Sequence, residues 1–234
     1  MLVLAIDTST DMLACAVAEW EPTGTAARVD VLASGDHLCR RRANVELATT
    51  CLDVLSRAGH TMSDLDAVLV GRGPGSFTGV RIGIATAKGM ACGLSKPLHG
   101  TSVLDATAWV SWRAGVRGLL AVADDAMRGE VYPGIYELAD GGVSRTFASE
   151  TVCAADEGDE LWAARTDRAE LTITGNGLVK YRAKFEAEGF STFADESTWY
   201  PTGEGLLLAA ASPARYDAGE TVDPALVLPI YTRH

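Results

Sequence analysis

The segment Gly71-Arg-Gly-Pro-Gly-Ser-Phe-Thr-Gly79 carries the strongest chemical suggestion in this sequence. Four glycines and a proline running into an apolar stretch offer free backbone N–H groups at a helix start, a combination that suits an anion. The ending does not fit a P-loop, since no Gly-Lys-Ser/Thr follows. Three residues after Gly75 stands Thr78, not the glycine of a dinucleotide fingerprint. A tight strand-to-helix turn capped by Ser76 or Thr78 explains the same residues and ranks ahead of a phosphate site. Gly73 and Gly75 stay as candidates for a cofactor contact, joined by Asp7, which closes the first apolar run in Asp7-Thr-Ser-Thr10. That turn has no glycine or lysine, so Asp7 bonding to the backbone of Ser9 or Thr10 ranks ahead of a cation or nucleotide role.

Other groups offer less. His37, His60, His99 and His234 include no pair three or four apart, so no helix face carries a metal-binding pair. There is no G-x-S-x-G elbow, and Ser76 lacks an obvious base. Asp124, Asp125 and Glu130 crowd a strand–turn–strand junction with Arg128. They allow acid–base or metal work, but charge neutralisation by Arg128 across the turn ranks ahead. Cys15, Cys39, Cys51, Cys92 and Cys153 are odd in number and contain no C-x-x-C pair, which reads as reduced, mostly buried thiols. Only Cys39, beside Arg40-Arg41-Arg42, has an electropositive setting.

These groups need elements to hold them. Leu2–Ile6, Met12–Ala18 and Arg28–Ala33 read as strands with short connections, hence antiparallel. A helix is expected over 44–58, with Asn44 as N-cap and Gly59 as stop. Its apolar residues Val45, Leu47, Ala48, Cys51, Leu52, Val54, Leu55 and Ala58 span roughly half the circumference, more than one sheet contact requires. After the strand Ala67–Val70, a second helix over 78–94 is apolar or small nearly all round. Gly83, Gly89 and Gly93 within it imply close approach of another element. A strand at 97–99, a helix over 102–112 and a strand at 118–123 complete the order β-β-β-α-β-α-β, that of the ribonuclease-H-like half of the actin-like superfamily. The expected fold is α/β, with two lobes of mixed β-sheet flanked by helices. Residues 1–100 are assigned to an N-terminal lobe and 101–234 to a smaller C-terminal one. In the second half, strands are expected at 130–138 and 171–174, helices from Gly177 to Glu188 and over 203–212, an acidic loop at 156–160 and an extended tail at 224–233.

The net charge of −11 is unevenly spread: residues 1–100 carry 9 basic and 10 acidic side chains, the remainder 11 and 21. A chain that grips nucleic acid alone shows a basic face, so a stand-alone RNA-binding module is disfavoured. No apolar run reaches membrane-spanning length, and the N-terminus lacks a basic n-region, so a cytoplasmic protein is expected.

The start LAIDTST, the segment GRGPGSFTGVRIG, the stretch DDAMRGEVY and the ending Pro229-Ile-Tyr231-Thr-Arg233 together resemble the TsaB (earlier YeaZ) family, in order along nearly the whole chain. The resemblance implies an actin-like protein without catalysis of its own. It would pair with a catalytic paralogue of the TsaD type and, with a TsaE-type ATPase, support threonylcarbamoyl-adenosine formation at A37 of ANN-decoding tRNAs. It implies a homodimer when the chain is alone, tRNA contact only through the complex, and no intrinsic cofactor, with room for a nucleotide at the interface of the assembly. Family dimers pack through the helices matching 44–58 and 78–94. Leu47, Cys51, Val54, Val80, Ile84 and Ala87 are accordingly the expected interface residues. The competing expectations are an actin-like ATPase or kinase using Asp7 and the glycine loops, and a peptidase, as an older glycoprotease label suggests.

Overall fold

The computed structural model describes residues 1–23, 26–39, 42–148, 152–155, 162, 167–212 and 223–230. Its contacts fall into two units, Met1–Ala106 with Pro201–Ile230, and Thr107–Tyr200. The described residues 201–212 and 223–230 thus pack with the first unit, although the sequence division assigned them to the second lobe. The acidic loop at 156–160 and Tyr231 to Arg233 lie outside the described residues.

The first unit is built on β1 (Leu2–Asp7), whose six residues are all buried. β1 pairs antiparallel with β2 (Met12–Thr23), which pairs antiparallel with β3 (Ala26–Ser34) and with the short β4 (His37–Leu38). On its other side β1 runs parallel to β5 (Ala67–Gly71), and β5 to β6 (Leu98–Thr101). The sheet order is β3-β2-β1-β5-β6. A strand buried on both faces reads as an unbroken apolar run, as Leu-Val-Leu-Ala-Ile does. Leu2, Leu4 and Ile6 face a core shared with α1 (Ala43–Arg57) and α2 (Phe77–Leu94). Val3 and Ala5 face Leu206, Leu207 and Ala210 of a later helix, α5 (Gly203–Ala211), together with Ala106 of α3 (Val103–Arg113). Helices therefore cover both faces of the sheet.

The second unit repeats this plan. β7 (Gly118–Met127) pairs antiparallel with β8 (Glu130–Ala139), and β8 with β9 (Gly142–Ala148) and with β10 (Cys153–Ala154). β7 is parallel to β11 (Leu171–Thr174), and β11 to β12 (Thr192–Phe193). α4 (Leu178–Ala187) lays Leu178, Tyr181 and Phe185 on that sheet, where Phe190 meets Trp162 and Phe185 edge to face and Trp162 lies tilted against Phe185. Of the elements named here, β4, β9, β10 and β12 went unread in the sequence. Three of them are two-residue strands, and β9 alternates too weakly to stand out. No described helix is long and apolar enough to cross a membrane.

One carboxylate fastens α5 to the sheet. Asp36 Oδ1 accepts from the backbone N–H of Cys15 at 3.0 Å and of Gly203 at 2.8 Å. A Cβ on Gly203 would meet Ala16 at 2.5 Å, so only glycine lets the helix start lie this close. Asp36→Ala strands two largely buried donors and is expected to cost about 2–3 kcal/mol in denaturant unfolding, whereas Asp36→Asn, which keeps an acceptor, recovers most of it. Equal losses in both variants would show that the two bonds do not hold α5.

Candidate functional site

The glycine loop and the Asp7 turn form one packed unit. β1 ends at Asp7, and β5 ends beside it at Gly71, so the two turns meet at the carboxyl ends of these parallel strands. A Cβ on Gly71 would lie 2.2 Å from Asp7 Oδ1; on Gly75, 2.6 Å from the Ser9 carbonyl; on Gly79, 2.0 Å from the Thr8 carbonyl; on Gly83, 2.9 Å from Thr8 Oγ1. The four glycines, each four residues from the next, are where the Asp7–Ser9 turn presses on the loop and on the first turns of α2.

Hydrogen bonds close the same contact. Ser76 N donates to the Ser9 carbonyl at 2.7 Å, and Thr8 Oγ1 donates to the Gly79 carbonyl at 2.7 Å. Ser76 caps α2, its hydroxyl accepting from Gly79 N. Val103 N donates to the Gly73 carbonyl at 2.9 Å and Ile230 N to the Arg72 carbonyl at 2.8 Å. Gly73 has φ +88°, a conformation that favours glycine. The amides of Ser76 and Gly79, which an anion would need, already bond to the chain itself. Gly73 and Gly75 serve close packing.

Asp7 is fully buried. Its Oδ2 accepts from Ser9 N at 2.9 Å and Ser9 Oγ at 2.7 Å, while Oδ1 has no hydrogen-bond partner. Burial pushes its carboxyl up to about 6, against the lowering effect of the Ser9 bonds. The turn bond to Ser9 matches the local reading of this residue.

In the second unit Asp125 is the hub of the carboxylate cluster. Its Oδ1 accepts from Met127 N at 3.0 Å and from the Tyr181 hydroxyl at 3.2 Å, and Lys180 Nζ pairs with Oδ2. Burial, then the Asp125 charge, raises the Tyr181 hydroxyl above its ordinary value. Asp124 Oδ1 accepts from Asn176 N at 3.2 Å. Asp125 therefore takes its cation from α4, a long-range pairing invisible in the sequence, where Arg128 had been expected to supply it. Arg128 instead shares the hairpin tip with Met127, at φ +58° and +64°. Among the described residues no three His, Cys, Asp or Glu side chains group to hold a metal ion.

The six expected interface residues lie elsewhere than supposed. Leu47, Cys51, Val54, Val80, Ile84 and Ala87 are 0–5% exposed and belong to the core under α1 and α2. They have no surface to offer a partner. The broad apolar arc of each helix is divided: its inner part meets the sheet and its outer part stays open. On α1 the open part is Val45 (63% exposed), Ala48 and Leu52 (58%). On α2 it is Phe77 (58%), Ala85, Gly89, Cys92 and Gly93. A Cβ on Gly89 or Gly93 would meet nothing within 4 Å, whereas Gly83 is pressed against Thr8. Arg81 stacks on the Phe77 ring at 3.6 Å. The seven-residue step from Val45 to Leu52 and the four-residue step from Phe77 to Arg81 were the available signals of this outer stripe.

Two six-stranded mixed sheets of the same topology, each flanked by helices, define an actin-like, ribonuclease-H-like protein. A family model described as TsaD, tRNA N6-adenosine threonylcarbamoyltransferase, matches residues 37–162. The tRNA threonylcarbamoyladenosine biosynthesis protein TsaB of Escherichia coli is 31% identical over 234 residues, covering 100% of this chain and 95% of that protein. TsaB of Bacillus subtilis is 33% identical over 159 residues, 67% of this chain and 64% of that protein. A solved Pseudomonas aeruginosa protein described as similar to peptidase YeaZ superposes with a TM-score of 0.78 at 31% identity, covering 99% of both chains. The chain belongs to the TsaB family.

Two predictions test the packed turn. Gly79→Ala forces a Cβ onto backbone and is expected to cost about 3 kcal/mol, whereas Gly93→Ala, facing open space, gains about 0.5–1 kcal/mol in the isolated chain. Similar unfolding midpoints for the two variants would refute the close-approach role. The folded chain also holds the Asp7 proton more tightly than the unfolded chain, whose carboxyl titrates near 3.8. The resulting stability, about 3 kcal/mol, is whole below roughly pH 4 and is lost as pH rises through 6. Denaturant midpoints across that range should fall less steeply in Asp7→Asn; parallel curves would place the Asp7 proton elsewhere.

Proposed function

We propose that this chain is a non-catalytic subunit in the formation of threonylcarbamoyl-adenosine on tRNA. It docks through the outer face of α1 and α2 onto a TsaD-type catalytic paralogue, with a TsaE-type ATPase completing the assembly, and pairs with a second copy when alone. The family resemblance supplies the pathway and the partners. The observation that carries the docking is the outer face itself: Val45, Ala48 and Leu52 beside Phe77, Ala85, Gly89 and Gly93, apolar or small and open. Glycine inside a helix costs about 1 kcal/mol against alanine. Gly89 and Gly93 meet no neighbour in their own chain, and close packing of a partner helix gives that cost a use. Phe77 and Arg81 are residue types that anchor interfaces.

The buried Asp7 and the self-bonded glycine loop support a scaffold over a nucleotide-driven enzyme. A peptidase needs a nucleophile beside a base, and the described residues supply no such pair around Ser76, whose hydroxyl caps α2. The acidic balance supports tRNA contact through the complex rather than by this chain alone. A cytoplasmic location follows from the same role.

Leu52→Arg and Ala85→Arg are expected to weaken association with the paralogue by at least about a hundredfold while leaving the unfolding midpoint nearly unchanged. Val80→Arg, by contrast, buries a charge in the core and should unfold the chain. Sedimentation of purified mixtures reads the first effect and circular dichroism the second. Undiminished association of both surface variants would discard this docking face. The isolated chain is also expected to give no saturable heat with ATP and magnesium in calorimetry; stoichiometric binding would favour the ATPase reading.

A further inference from the structure

Helix α1 begins without a side-chain cap, its N-cap residue being Arg42. Its first turn is held instead by a contact centred on Glu46. Glu46 Oε1 accepts from Arg42 Nε at 3.0 Å, and Oε2 lies 2.9 Å from His37 Nε2. The other ring nitrogen of His37, Nδ1, lies 2.9 Å from the Gly35 carbonyl oxygen. A carbonyl and a carboxylate both accept, so both ring nitrogens must carry hydrogen for both contacts to be bonds. The arrangement is that of an imidazolium facing an ionised glutamate.

The neighbouring charges act in both directions. Asp36 precedes His37 in the chain and favours the cation. Arg42 competes for Glu46, and Arg57, from the last turn of α1, reaches the same β3–β4 turn by donating to the Ser34 carbonyl at 2.7 Å. The Gly35 carbonyl, then Glu46, hold His37 above its ordinary 6.5, with partial burial opposing them. Because the folded imidazole binds its proton more tightly, the stabilisation is complete below about pH 6.5 and is lost as pH rises through the folded value.

We propose that His37 is a proton-operated clasp: its doubly bonded imidazolium holds the amino-terminal turn of α1 against the turn at Gly35, and loss of a proton frees the helix start beside Val45 and Ala48. The consequence for docking rests on the function proposed above; the clasp itself does not. Glu46 occupies the same helical turn as Val45, so the clasp and the outer face share backbone. Raising the pH therefore loosens the edge of that face and weakens association without altering any residue on it.

The test uses the isolated full chain, followed by NMR over about pH 5.5 to 8.5. The His37 ring is expected to titrate above its ordinary value, and the amide protection factors of residues 45–50 to fall by about threefold through the same transition, the scale of a half-exposed ion pair. In His37→Gln protection in that turn should be low and independent of pH. In Glu46→Gln, which keeps a neutral acceptor, the His37 titration should move downward. Protection that stays flat across the wild-type titration, or a His37 titration unmoved in Glu46→Gln, overturns the clasp. Sedimentation with a TsaD-type paralogue at both ends of the range reads the consequence separately. Association that weakens with pH in wild type but not in His37→Gln supports it. Association that ignores pH while the turn loosens overturns the link to docking. Absence of association at every pH counts against the docking face and leaves the clasp to be judged by the exchange data.

Discussion

The backbone of α2 lies directly on the turn that ends β1, and much of the first unit follows from that contact. Glycine at 71, 75, 79 and 83 removes the side chain wherever Asp7, Thr8 or Ser9 presses. Such approach brings Thr8 Oγ1 and the Ser9 carbonyl into bonding range of α2 and its loop, so the turn is secured by hydrogen bonds as well as packing. With its start fixed there, the rotation of α2 about its own axis is set. Val80, Ile84, Ala87 and Ala91 face the sheet, and Ala85, Gly89 and Gly93 face outward. The same contact directs hydrogen bonding at this end of the sheet. The N–H groups of Ser76 and Gly79 are directed to the protein's own carbonyl and hydroxyl oxygens, and the carboxylate of Asp7 is buried in the same packed turn.

The sealed carboxylate has a physical cost, since burying an ionised group is expensive unless it is well bonded. Asp7 meets half of that requirement through Ser9 and takes up a proton more readily to meet the rest. Its two bonds to Ser9 are those of a residue that organises a turn.

The fold was largely legible because its central strands and helices have strong, simple patterns. The unbroken run Leu2–Ile6, the glycine-to-helix transition at 71–79 and the stop at Gly59 each have one good structural reading, and the whole order of the first unit follows. The site was less legible, because it depends on which part of an apolar arc faces inward. The period of 3.6 places Val45, Leu47, Cys51 and Leu52 on one broad side but cannot rank them. The core took Leu47 and Cys51, with Val54, Val80, Ile84 and Ala87, and left Val45 and Leu52 outside. Pairings such as Lys180 with Asp125, or Asp36 with Gly203, join residues 55 and 167 positions apart and have no local signature. The start of α1 shows a subtler failure. Asn44 is a good capping residue by type, yet the helix begins one residue earlier, where the ion pairs of Glu46 hold the turn.

The internal repeat supplies its own control for the outer face. α2 and α4 hold equivalent places, each following the second parallel strand of its sheet and each starting at a glycine-bearing loop packed on the end of the central strand. Gly175 and Gly177 press on Ala123 as Gly75 and Gly79 press on Ser9 and Thr8. The two helices meet the same demand on their inner sides with Leu178, Tyr181 and Phe185 in one and Val80, Ile84 and Ala87 in the other. Their outer sides differ. α4 exposes Val179, Ala183 and Ala187 too, but sets them among Lys180, Arg182, Lys184 and Glu186, a mixed surface of the kind a helix presents to water. α2 exposes Phe77, Ala85, Gly89, Cys92 and Gly93, and Arg81 there is stacked on Phe77. Fold and packing impose no such difference, since one topology accommodates both. The bare surface of α2 is therefore a property of the residues chosen for its outer side, and contact with another protein gives that choice a physical reason.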